Sequence, residues 1–167
     1  GGKAKFDQER GIFIASETQQ ASECIGAANG DFLLTECLNE GLRAGQEAAT
    51  KVGFKKTTRR KVPTAETIRE RPLRLIWALP TTTPIGERGK HFLDLQHDVT
   101  AADVQLAARE GYASIEHTKR YTTLGMATDQ GKTGNISGMA ILAQALGVEN
   151  PDDVGTTTFR PPYTPVT

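Results

Sequence analysis

The sequence predicts an α+β chain, a small hairpin-and-helix part followed by a small helical part. Three observations carry this reading. Two short β-like runs, Lys3 to Asp7 and Gly11 to Ala15, are separated by the polar Gln8-Glu9-Arg10. One amphipathic helical pattern follows and runs to about Thr50. Between about 98 and 147, three more helical patterns each follow a capping residue and stop near a glycine, so start signal, apolar period and stop agree.

The two β-like runs read as a hairpin or a sheet edge. Residues 16–25 are polar and small. Gly26-Ala27-Ala28-Asn29-Gly30-Asp31-Phe32 then opens a helix in which Leu34, Cys37, Leu38 and Leu42 fall at helical spacing. Cys37 shares that apolar face and reads as a buried thiol. A small-residue turn between a strand and a helix N-terminus suits a phosphate or a ribose, because backbone N–H groups are unpaired there and the dipole is positive. The same small residues would also let the helix pack closely on a sheet, and they do not spell a full Gly-x-Gly-x-x-Gly fingerprint.

Residues 51–74 change character. Nine are Lys or Arg, and only Glu66 and Glu70 oppose them. A block this basic is a solvated linker or an interaction tail. Nucleic-acid binding would want interleaved aromatic rings for stacking, and Phe54 is the only one. Leu73, Leu75, Ile76, Trp77 and Leu79 then form an apolar, strand-like run, broken by Pro80 and Pro84.

The helical part begins with Phe92, Leu93 and Leu95 as a short extended entry. Thr100 with Asp103 three positions on resembles a capping box, with Asp in place of the usual Glu. The helix Ala101–Glu110 follows, and Gly111 suits its C′ position. Ser114 caps a second helix, Ile115 to about Tyr121, whose early Glu116 and late Lys119 and Arg120 complement the dipole. A long polar loop reaches Asn135, which caps a third helix. Ile136, Met139, Ala140, Leu142, Ala143 and Leu146 line one face of it, and Gly147 ends it.

Composition narrows the function classes. The chain has 167 residues, with 20 Lys+Arg against 20 Asp+Glu. No global field pulls it onto nucleic acid or an anionic membrane. No segment approaches the ~18 apolar residues of a membrane span. Two cysteines, Cys24 and Cys37, make neither a disulfide framework nor a four-ligand metal site, and a reducing cytoplasm is the default compartment. The histidines, His91, His97 and His117, have no ligand-spaced partner. Gly125 is followed by five residues and then Gly131-Lys132-Thr133, one residue too many for a P-loop. The loop still suits an anion. It offers the cation Lys132, the hydroxyls of Thr128 and Thr133 and flexible N–H groups ahead of a helix N-terminus, with Lys119, Arg120, Thr122 and Thr123 close by in sequence. A solvated loop would have the same composition.

These residues carry a family resemblance. Val99-Thr100-Ala101-Ala102-Asp103-Val104, Ala107-Ala108-Arg109-Glu110-Gly111-Tyr112 and the long run from Lys119-Arg120-Tyr121-Thr122-Thr123-Leu124-Gly125 to Asp129-Gln130-Gly131-Lys132-Thr133 resemble the α subunit of heterotetrameric sarcosine oxidase. Gly26 to Phe32 resembles the end of that subunit's dinucleotide-binding domain, and Thr158 to Pro165 resembles the junction before its folate-binding domain. The resemblance implies an internal fragment. In that frame residues 1–50 are the C-terminal part of a dinucleotide-binding domain, and 51–90 a basic linker with a short strand. Residues 91–150 are a helical domain, and 151–167 a linker toward the folate domain.

The family oxidatively demethylates sarcosine to glycine, reduces oxygen to hydrogen peroxide and passes the one-carbon unit to tetrahydrofolate as 5,10-methylenetetrahydrofolate. It uses FAD, FMN and NAD. The amine-oxidising site lies in the β subunit and FMN lies between α and β. The resemblance therefore implies no catalytic residue in this chain, an inactive fragment, and β, γ and δ subunits as partners. It places Gly26, Ala28, Leu33 and Thr35 toward NAD, and Lys119, Arg120, Thr123, Thr128, Lys132 and Thr133 toward FMN, with FAD and tetrahydrofolate elsewhere in the complex. Residues 90–147 also resemble the small helical domain of ferredoxins that carry a 2Fe-2S cluster. Such clusters need four cysteine ligands and this stretch contains none, so an iron–sulfur cluster is excluded there. A stand-alone helical interaction module and a related amine or opine oxidoreductase are the alternatives.

Overall fold

A computed structural model describes residues 3–15, 18–55, 61–66, 68 and 73–158. The chain divides into two units, Gly1–Arg74 and Leu75–Thr167. Parts of the basic linker (56–60, 67 and 69–72) and the junction run from Phe159 onward lie outside the described residues.

In the first unit, β1 (Ala4–Asp7) and β2 (Ile12–Ala15) pair antiparallel, as the polar break between them predicts. Gly11, at φ +66°, closes the turn, and its N–H donates to the Asp7 carbonyl at 2.8 Å. The Asp7 carboxylate accepts from the Arg10 N–H and guanidinium at 2.9 and 2.8 Å. Those bonds, backbone first, hold it below the usual carboxylate range. Phe6 and Phe13, directly opposite across the strands, meet edge-to-face at 5.3 Å.

The next element differs from the expectation. Instead of one helix opening at Gly26, a 3-10 turn spans Gly26–Asn29 and stops at Gly30, which is left-handed at φ +93°. Leu33 is extended, and helix α1 begins only at Leu34 and runs to Lys51. Gly30 permits a conformation that a side chain resists, and it lies under the Arg10 side chain. None of the residues of α1 is fully buried. Cys37 is accordingly half-buried rather than buried, and its thiol donates to the Asp31 carbonyl at 3.0 Å.

Residues 73–80, where the division between the units falls, form no strand, against the expectation from their apolar run. Leu73, Ile76 and Leu79 are exposed. Strand residues must pair their N–H and C=O groups, and no described segment pairs with these. The observed sheet is small, with β3 (Phe92–Asp94) antiparallel to β4 (Val99–Thr100). Helix α2 (Ala101–Arg109) starts directly from β4. Thr100 and Asp103 form the reciprocal capping box, with Asp103 Oδ2 accepting from Thr100 N at 2.8 Å and Thr100 Oγ1 accepting from Asp103 N at 3.3 Å. Gly111 is left-handed just beyond the helix.

Helix α3 (Ile115–Thr122) follows, and Ser114 holds its cap position without a side-chain hydrogen bond. Its C-cap is Thr123, left-handed at φ +65°. Helix α4 (Asn135–Leu146) is capped by Gly134, so Asn135 is its first residue and not its cap. Seven of its twelve residues are buried, which makes it the central helix of the unit. Val99, Val104, Ile115, Leu124, Met139, Ile141, Leu142 and Val154 form the core with it. Two glycines let α4 sit this deep. A Cβ on Gly134 would overlap the Leu93 carbonyl, and one on Gly138 would overlap the Leu124 side chain. A 3-10 turn at Pro151–Val154 closes the unit against α4.

Candidate functional site

The loop between α3 and α4 is the best-built candidate. Its base is fixed by Asp94, a buried carboxylate at the end of β3. Asp94 Oδ1 accepts from the N–H groups of Gln96 and His97 at 2.8 and 3.2 Å, and Oδ2 accepts from Gly125 N–H at 2.9 Å. One side chain thus ties the β3–β4 turn to the start of the loop. Thr122 Oγ1 donates to the Thr118 carbonyl at 2.8 Å and accepts from Leu124 N–H at 3.2 Å. His97 Nδ1 stands 3.3 Å from the Thr123 carbonyl oxygen. Beside this base, His97, Asp98, Val99, Asp103, Leu106, Tyr121 and Thr122 line an open cleft of about 340 Å³.

The far side of the loop winds on itself. Gln130 and Gly131 both adopt positive φ, +53° and +75°. This aims successive N–H groups at one carboxylate. Asp129 Oδ1 accepts from Gly131 N–H at 3.1 Å, and Oδ2 accepts from the Thr133 hydroxyl at 2.8 Å and from Thr133 N–H at 3.4 Å. The Thr133 hydroxyl first, then these N–H groups, hold Asp129 below the usual carboxylate range. Lys132 Nζ lies 3.5 Å from the Asp129 carbonyl oxygen. Inside the loop, the Asn135 side chain is 2% exposed, and neither its Nδ2 nor its Oδ1 has a hydrogen-bond partner among the described residues. A Cβ on Gly125 or on Gly131 would overlap that amide. The loop has glycines where the amide needs room.

The structure brings Lys132 and Thr133 together with Asp129 in this one turn. Thr123 is at the base, and Thr128 is exposed between them. Lys119 and Arg120 interact elsewhere. Lys119 is buried, with Nζ 3.7 Å from Glu116 Oε1, and Arg120 Nη1 lies 3.3 Å from Glu116 Oε2. Glu116 also accepts from Thr158 N–H at 3.0 Å. That backbone bond, with the two cations, lowers the Glu116 pKa against the opposing effect of its burial.

In the first unit, the turn at Gly26–Asn29 leaves Ala28 exposed and Leu33 and Thr35 half-buried. Gly26 N–H donates to Glu40 Oε2 at 3.3 Å, and Thr35 Oγ1 donates to the Ala65 carbonyl at 3.3 Å. The sequence pattern gives no role to Asp94, Asp129 or Glu40, and it marks Asn135 only as a helix cap. Only Asp129 had a visible signal, a carboxylate inside a loop otherwise rich in donors. Among the described residues no group of three or more His, Cys, Asp or Glu side chains is placed to hold a metal ion. No helix among them is long and apolar enough to cross a membrane.

Residues 88–167, which include β3, β4 and the three helices around this loop, match the family described as "Sarcosine oxidase A3 domain". That defines the class of the helical unit. The whole chain is similar to curated proteins called "Sarcosine oxidase subunit alpha". It is 42% identical to the one from Rhizobium meliloti (strain 1021) and 38% identical to those from Corynebacterium sp. strains P-1 and U-96, in each case over 99% of this chain. Over nearly all of its length the chain is thus similar to sarcosine oxidase alpha subunits. It spans 16–17% of the length of these relatives.

Proposed function

We propose that this chain is an internal part of the α subunit of a flavin-dependent, tetrahydrofolate-linked sarcosine oxidase, and that it serves cofactor positioning and subunit assembly rather than the chemical step. The observation that supports this best is the loop 125–135. The loop offers an α4 N-terminus without a side-chain cap, the Thr133 hydroxyl and the Lys132 ammonium, and Gly125 and Gly131 make room for a buried Asn135 amide with no partner among the described residues. Such a donor set fits a phosphate group. In this reading Lys132, Thr133, Thr128 and Thr123 face the FMN phosphate at the interface with a β subunit. Lys119 and Arg120 add positive charge behind them, moderated by Glu116. FMN, when bound, supplies the redox chemistry. The residues of this chain hold its phosphate, exclude water from it and orient it.

The first unit is read as the end of a dinucleotide-binding domain, with Gly26, Ala28, Leu33 and Thr35 toward NAD. Glu40, which holds the Gly26 N–H, has the chemistry of a hydroxyl acceptor at that turn. The helical unit is read as a relative of the small ferredoxin-type helical domain that has exchanged cluster binding for an interface role. The reading includes FAD and tetrahydrofolate elsewhere in the assembly, β, γ and δ subunits as partners, and a cytoplasmic location.

The test is Lys132→Met in the assembled oxidase, read by flavin absorbance per complex and by the yield of assembled subunits. Charge-assisted hydrogen bonds of this kind are each worth about 1.5–3 kcal/mol when shielded from water. Reduced FMN content or assembly, with FAD content unchanged, is the expected result. Full FMN content and normal assembly would reject the assignment.

A further inference from the structure

Independent of the phosphate reading is the open cleft lined in part by His97, Asp98, Asp103, Leu106 and Tyr121. We infer that it receives one arginine side chain of a partner protein, with the guanidinium stacked on Tyr121 and hydrogen-bonded to Asp98. The polar groups around the cleft carry the first part of this. The Asp98 carboxylate has no hydrogen-bond or ion-pair partner among the described residues. Asp103 accepts with Oδ2 from the Thr100 N–H and hydroxyl at 2.8 and 2.7 Å, so its Oδ1 is left as an acceptor. His97 Nδ1 stands 3.3 Å from the Thr123 carbonyl oxygen, which can only accept. In the neutral ring Nδ1 therefore carries the proton and Nε2 is the acceptor. No Lys or Arg is among the described lining residues, and Lys119 and Arg120 of α3 are paired with Glu116. The positive end of the α2 dipole opposes a cation here, but Asp103 stands in that first turn and offsets it.

Acceptors alone would suit any cation. The ring and the shape of the cleft narrow the choice. Tyr121 is 44% exposed, and Tyr112 packs against it with ring centroids 4.6 Å apart and planes 32° apart. The stack holds the ring in place while much of it stays open to a ligand. Leu106, also exposed, adds apolar surface. A guanidinium is planar, has five N–H donors and no acceptor, and stacks on an aromatic ring while its edge bonds a carboxylate. Its aliphatic stem covers apolar surface such as that of Leu106. An ammonium is a hydrated point charge and uses the ring less well. The volume, about 340 Å³, is at the low end of ligand sites, which run from about 300 to 1,000 Å³ and enclose most of their ligand. An open cleft of this size covers one flat group and leaves its bearer outside, which suits a side chain of a protein rather than a free small molecule.

The test is a titration of the 167-residue chain with Nα-acetyl-arginine amide at constant ionic strength and neutral pH, followed by amide shifts in ¹H–¹⁵N spectra. Nα-acetyl-citrulline amide, of the same shape but uncharged, and Nα-acetyl-lysine amide are the controls. The arginine probe should give saturable shifts at Asp98, Leu106 and Thr122, and both controls should bind more weakly. Asp98 is left-handed at φ +56°, a conformation that Asn also adopts readily, so Asp98→Asn removes the charge and keeps the turn. It should weaken the arginine probe about threefold, as loss of an exposed ion pair does. Tyr121→Leu should weaken it by a similar factor through loss of the ring. No saturable shift at these amides, or equal affinity for the arginine and citrulline probes, would overturn the site. Equal affinity for the arginine and lysine probes would overturn the stacking on Tyr121. Free L-arginine binding more tightly than the capped probe would overturn the protein source of the side chain.

Discussion

At Gly131 two independent constraints meet, a φ of +75° and the Asn135 amide against the Cα. Gly131→Ala must strain the backbone and also push the amide out of its buried position. The loss should be about 1–3 kcal/mol from the backbone alone, with more from the overlap. Gly147 has φ +71° but open space around it, so Gly147→Ala should cost only the backbone share. The two urea midpoints give the comparison, and equal losses would show that the amide moves freely. Glu116 supplies a second test at this scale. The Thr158 N–H, then Lys119 and Arg120, favour its charged form and place its folded pKa below the usual glutamate value. A carboxylate with a depressed folded pKa stabilises at pH above its unfolded value, about 4.3, and that stability is lost as the pH falls through the folded value. Glu116→Gln should therefore be less stable than the parent at pH 7, and the gap should close in acid. A gap that persists unchanged at low pH would mean that packing, not charge, holds Thr158.

At the level of elements, the legible ones were those whose signals are local. The hairpin shows in the polar break between two apolar runs. Helix α2 shows in Thr100 and Asp103, and α4 in its apolar period and Gly147. Elements that depend on distant partners were misread. Leu73 to Leu79 has strand composition, but no described segment pairs with it. Gly26 to Phe32 looked like a helix start, yet Gly30 under Arg10 turns left-handed and splits it. In the loop before α4, residue type singled out Lys132 and Thr133, and the fold puts both in one turn with Asp129. Asp129 showed only as a carboxylate among donors, because its part in the turn depends on Gln130 and Gly131 both taking positive φ, which no spacing rule announces. The capping box gives the prediction for this scale. Thr100→Ala removes the acceptor for Asp103 N–H and should cost about 1 kcal/mol, measured by urea unfolding. Ser114→Ala, at a cap position with no side-chain bond, should cost markedly less. Equal costs would show that Thr100 acts through β4 and not as a cap.

For the molecule as a whole, burial is unevenly divided between elements of similar helical character. Helix α4 buries Asn135 and the continuous run Gly138–Ala143, whereas α1, with eighteen residues, buries none fully. A helix draws most of its stability from packing an apolar face, and amide exchange reports how costly each segment is to open. The amides of α4 should therefore exchange most slowly, those of α2 and β4 next, and those of α1 much faster despite its greater length. Leu142→Ala, at a fully buried position of α4, should remove about 2–5 kcal/mol and speed exchange through α2 and α4 together, because these helices share one core. Mass-spectrometric exchange on the 167-residue chain resolves the segments. Protection across Leu38–Leu42 equal to that across Ile141–Ala143 would show that α1 has a packing partner beyond the 3-10 turn at Gly26–Asn29, and that the first unit owes its order to more than its own residues.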